Sequence, residues 1–145
     1  MKTTIIIILL LLVFPLVSFA QTEPDWPTIY KGGLERMGVK FINEPTDPNA
    51  YQYIWEVLDT FNTVTGKKFN LTYEFFDRAF LCGNHIGVNA VGCYWYSKGL
   101  TQVLGNFGDK DGYKWVIFHE YGHSLGLILE NDANEFADKY TKTNQ

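Results

Sequence analysis

A chain of 145 residues that is 46% hydrophobic and 17% aromatic has the size of one ordinary domain and too much apolar material for a disordered segment. A multidomain enzyme is excluded by length. The formal net charge of −4, from 12 basic and 16 acidic residues, argues against a nucleic-acid partner, because phosphate binding needs a basic footprint.

The first twenty residues read as a leader. Lys2 precedes an apolar run from Ile5 to Val17, interrupted by Pro15, and Ser18-Phe19-Ala20 forms a small-residue exit. The run is 13 residues long, short of the roughly 20 that a spanning helix needs, so a cleaved secretory signal at 1–20 is expected over a membrane tether. Cleavage would take 20 residues and one positive charge from the 145, leaving a domain at 21–145 with net charge −5. Such a domain would be secreted or periplasmic, monomeric, and without stable membrane insertion.

Residues 21–35 begin polar, are broken by Pro24 and Pro27, and reach Gly32-Gly33, which predicts an extended lead-in. A first strand is expected at 39–42, stopped by Asn43-Glu44-Pro45. Asp47-Pro48-Asn49 predicts a helix start, with Asp47 as cap and Pro48 in the first helical position. Tyr51, Ile54, Trp55, Leu58, Phe61 and Val64 recur at three and four residues and should line one face of that helix, which Gly66 closes. Residues 69–75 alternate with period two and predict a half-buried strand.

From Asp77 to Gly112 the pattern is looser, with short strands expected at 86–89, 93–96 and 101–104. A helix at 113–125 and a second from Glu130 or Asn131 to about 141 complete the chain. Cys82 and Cys93 enclose a short, glycine-containing loop, and in an oxidising compartment a disulfide is the leading expectation. Unstrained, it would contribute about 2–3 kcal/mol. A nucleophilic cysteine near His85 is the functional alternative.

The chemistry concentrates in His119-Glu120-Tyr121-Gly122-His123. His119 and His123 are four apart, so on a helix their imidazoles share a face and can hold one metal ion. Glu120 stands beside them, where it can take a proton from water and return it to a leaving amine. The apolar run Val116-Ile117-Phe118 is what a helix buried beneath a cleft requires.

With this motif the chain resembles the zincins, zinc-dependent metallopeptidases built around His-Glu-x-x-His. The resemblance implies an α+β fold: a small mixed sheet packed on a long helix, a metal-binding helix and one short C-terminal helix. It also implies one Zn2+ per chain and a peptide or protein substrate. Residues 54–69 look like the long helix and strand entry of small secreted members. Gly126 continues the motif as in the metzincins, but their next ligand would fall on Leu129, which cannot ligate. Met37 lies upstream of the motif, so their methionine turn is missing as well.

The run Glu130-Asn131-Asp132-Ala133-Asn134-Glu135-Phe136-Ala137 resembles the third-ligand segment of the ImmA/IrrE-like and related Glu-zincins. The resemblance implies Glu130 as third ligand and Asn134 as a residue that orients a ligand histidine through its free ring nitrogen. Glu135 competes for the ligand role, because 134–138 also resembles such a segment. The family implies a metal-dependent endopeptidase with Glu120 as general base, the substrate lying along an edge strand at 86–89 or 101–104. Tyr94, Tyr96 and Tyr140 are candidates to stabilise the oxyanion, with packing as the plain alternative for each. With only 16 residues from Glu130 onward, a minimal enzyme with an open, poorly discriminating groove is expected. Two other readings remain: a secreted zincin-fold binding protein without turnover, and a structural envelope domain with a coincidental motif.

Overall fold

The computed structural model describes residues 23–66, 68–82 and 89–143; the leader expected at 1–20 and most of the strand expected at 86–89 lie outside them. Its first element corrects the extended lead-in, for α1 (Trp26–Arg36) is a helix. Asp25 caps it, accepting from the Thr28 hydroxyl at 2.6 Å and the Thr28 N–H at 3.3 Å, and Pro27 falls in the first turn, where a missing N–H costs nothing. Gly32-Gly33 looked like a break and is a contact. A Cβ on Gly33 would lie 2.3 Å from the Trp55 ring, so the glycine lets the next helix close on α1.

Strand β1 (Val39–Phe41) leads into α2 (Ala50–Thr65). The helix starts two residues beyond Pro48, because the Asp47 carboxylate accepts the Asn49 N–H at 2.9 Å and holds a turn ahead of it. Tyr51, Ile54, Val57 and Leu58 form its buried face. Gly66 ends it in the left-handed region at φ 60°, its N–H on the Asn62 carbonyl at 2.8 Å.

Strand β2 (Leu71–Phe76) alternates as the sequence predicts, with Leu71, Tyr73 and Phe75 buried. The short pair β3 (Phe80–Leu81) and β4 (Asn89–Ala90) is antiparallel and was not expected as a unit. Strands β5 (Gly92–Trp95) and β6 (Leu100–Leu104) lie close to the expected 93–96 and 101–104. The main sheet runs β1-β2-β6-β5, with β1, β2 and β6 parallel and β5 antiparallel to β6. Residues 101–104 are therefore interior and offer no edge to a substrate. β5 is an edge.

Helices α3 (Lys110–Ser124) and α4 (Glu130–Thr143) complete the described fold, a mixed α+β domain. α3 starts three residues before the expected Tyr113, because Asp109 accepts from the N–H groups of Asp111 and Gly112. Ile54, Leu58, Tyr73, Ile117 and Phe118 are fully buried between α2, α3 and the sheet. Ala133 and Ala137, also fully buried, let α4 lie close to α3. Among the described residues no helix is long and apolar enough to cross a membrane.

Candidate metal centre

The last two turns of α3 carry the motif. Ile117 and Phe118 face the core, while His119, Glu120 and His123 are buried at the rim of a cleft of about 380 Å³. The i, i+4 spacing brings the two Nε2 atoms to 3.0 Å. The third group arrives through a turn. Gly126, at φ 98°, donates its N–H to the His123 carbonyl at 2.9 Å, and Leu127 donates to the Gly122 carbonyl at 3.2 Å. This pair of bonds is a Schellman motif, which needs a left-handed residue and so favours glycine. It reverses the chain and sets Glu130 at the start of α4, with one oxygen 3.2 Å from His119 Nε2 and the other 3.6 Å from His123 Nε2.

One ligand atom from each of His119, His123 and Glu130 falls within 4.8 Å of the others. Tetrahedral bonds of about 2.0–2.1 Å would separate donor atoms by about 3.3–3.4 Å, so the observed spacings fit one small ion held by two nitrogens and a carboxylate. Glu135, the competing ligand, is exposed on α4 and outside this cluster.

The ring orientation of His123 is fixed from behind. Its Nδ1 lies 2.6 Å from the Leu127 carbonyl, which has no proton to give, so Nδ1–H donates and Nε2 keeps its lone pair for the cluster. The Tyr96 hydroxyl donates to the same carbonyl at 3.1 Å. Burial, with the neighbouring His123 second, holds the His119 pKa below its ordinary value despite Glu130 and Asn134, and this favours the neutral ligating ring. Asn134, which the resemblance implies as the residue that orients a ligand histidine, lies beside His119, but His119 Nδ1 has no hydrogen-bond partner of regular geometry. Trp115 stacks on the His119 ring at 5.3 Å and anchors its own indole N–H on Asp138 at 2.8 Å.

Glu120 is 4% exposed, and its Oε2 has no hydrogen-bond partner. Burial, reinforced by the charge of Glu130, pushes its carboxyl up to about 8. An acid with such a pKa exchanges protons readily near neutrality. Gly92 makes room for it: a Cβ there would stand 2.5 Å from Glu120 Oε1 and 2.6 Å from Val116 Cγ1. The sequence reading passed over Gly92, although a glycine within a strand commonly marks close approach by another group.

Strand β5 forms one wall. Leu104 N–H bonds the Val91 carbonyl at 3.0 Å, so by register Cys93 and Trp95 also face β6, while Gly92 and Tyr94 turn their backbone groups outward. The Cys82–Cys93 disulfide is formed and lines the cleft, which removes the nucleophilic-cysteine alternative. Tyr94 and Tyr96 line the same cleft. Tyr140 does not; it packs against Phe61, Phe118 and Phe136. No family model, curated protein or solved structure matches the chain, so the His–His–Glu cluster on a small α+β domain is the feature by which it is classified.

Proposed function

We propose that the chain is an exported, zinc-dependent endopeptidase of the Glu-zincin kind, its domain at 21–145 released from a signal peptide at 1–20. His119, His123 and Glu130 are the zinc ligands, and Glu120 is the general base. The observation that carries this reading is the Glu130 carboxylate reaching both ring nitrogens while Glu120 is buried beside them. Two imidazoles and one carboxylate form a three-ligand set typical of catalytic zinc, which keeps a fourth position open. When bound, zinc supplies Lewis-acid polarisation of a carbonyl oxygen and lowers the pKa of water.

This chain's residues do the rest. Gly92 and Tyr94 on β5 pair with an extended substrate and hold the scissile carbonyl over the cluster. Glu120 accepts the proton of the attacking water on its carboxylate and passes it to the leaving amine nitrogen. Among the described residues no lysine or arginine lines the cleft to hold a terminal carboxylate, which favours cleavage within chains over trimming at a C-terminus.

The purified domain is expected to hold one zinc, lost on substitution of His119, His123 or Glu130. Chelation should abolish hydrolysis of an end-blocked peptide. Glu120→Gln should retain zinc and lose about 10²–10⁴-fold in kcat. A chain without stoichiometric zinc would defeat the proposal, and one that keeps zinc but never cleaves would be a binding protein.

A further inference from the structure

The cleft does not end at the metal cluster. A second lobe of about 280 Å³ adjoins it, lined by Val91, Trp115, Val116 and Asn134, and shares Ala90, Gly92, His119, Glu120 and Glu130 with the first. The first lobe adds Tyr94, Tyr96 and Ile128. His119 and Glu130 thus line both compartments, whose own walls are mostly aromatic and aliphatic, and among the described lining residues neither contains a lysine or arginine. Among the described lining residues the only carboxylates are Glu120 and Glu130. Ile128 is 74% exposed on the turn before α4, and Val91 is 37% exposed just ahead of the edge strand. A large aliphatic side chain in water at the lip of each lobe is unexplained by the packing of the fold.

We infer that the groove takes an extended peptide with uncharged, apolar side chains on both sides of the bond lying over His119, His123 and Glu130, one in each lobe. The inference rests on the peptidase reading for what happens to that bond, but not for the binding. An apolar side chain entering either lobe sheds water against Tyr, Trp, Ile and Val surface. An acidic one would be desolvated against the same aromatic and aliphatic surface, with no lysine or arginine among the described lining residues to pair it. The groove selects by polarity, then, and is tolerant of shape, which narrows the poor discrimination expected from the short sequence.

Two measurements test this separately from catalysis. Acetyl- and amide-blocked hexapeptides that differ only at the two central residues are titrated calorimetrically into the Glu120→Gln protein, and are offered to the zinc-loaded wild type. Central Leu, Phe or Val should beat central Glu or Asp by at least about tenfold in both Kd and kcat/KM. Ile128→Asp and Val91→Asp, exposed positions whose change spares the core, should each weaken apolar binding about tenfold, and the pair more than either. Equal binding of apolar and acidic peptides, or unchanged affinity in both variants, overturns the inference. Preferential binding without cleavage upholds it and removes the peptidase reading. Cleavage without preference does the reverse, and a protein that neither binds nor cleaves them defeats both.

Discussion

Single residues decide whether the site is competent, and the sequence exposes some of them better than others. His119 and His123 are legible because helical spacing alone puts them on one face, and Glu120 because it is bracketed by them. Gly92 is not legible, since its role is to be empty where α3 crosses β5. Gly92→Ala would put a methyl 2.5 Å from Glu120 Oε1, and the buried carboxylate must swing to avoid it. Displacing a catalytic group by about 1 Å can cost about a hundredfold. Gly92→Ala is therefore expected to lower kcat about 10²-fold with zinc content unchanged. Equal loss of zinc would place the damage in the ligands and count against this account of Gly92.

At the scale of elements, periodicity revealed α2 and β2, whereas α1 was misread, because Pro27, Gly32 and Gly33 look like breakers until the cap at Asp25 and the Trp55 ring are in place. Side-chain bridges between elements were equally invisible. Glu56 on α2 reaches Lys114 of α3 at 3.0 Å and Lys110 at 3.3 Å, and accepts from Gln52 at 2.8 Å. Burial pushes its carboxyl up, but the bonds from Lys114 and Gln52 outweigh that and hold the pKa below 4.5. A depressed folded pKa means stability that is present above the unfolded pKa and lost as pH falls through the folded one. Glu56→Gln is thus expected to cost about 0.5–1 kcal/mol at pH 7 in urea unfolding. The difference should shrink once the pH falls below the folded pKa. A gap that persists at low pH would mean that packing, and not charge, joins these helices.

The whole molecule shows where sequence reasoning stops. Which strand borders which is a long-range matter: β2 and β6 pair across the intervening β3, β4 and β5, and no local pattern announces that β5 is an edge. The disulfide, by contrast, was legible from two closely spaced cysteines behind an expected leader, and it ties the segment after β3 to β5. Replacing both Cys82 and Cys93 with serine should lower stability by about 2–3 kcal/mol in urea unfolding. Activity should fall further than stability alone explains, because both residues line the cleft. Full activity in the doubly substituted protein would confine the bridge to stability.

The Gly126 turn has one more consequence, for assembly. It gathers the three groups that could hold a metal into residues 119–130, so an ion captured there would close a short loop at small entropic cost without bridging distant parts of the chain. Metal capture is therefore a local event, separable from the pairing of the sheet. Such an ion would clasp the corner between α3 and α4 and would not be the keystone of the domain. Stripping it away should undo that corner and leave the strands standing.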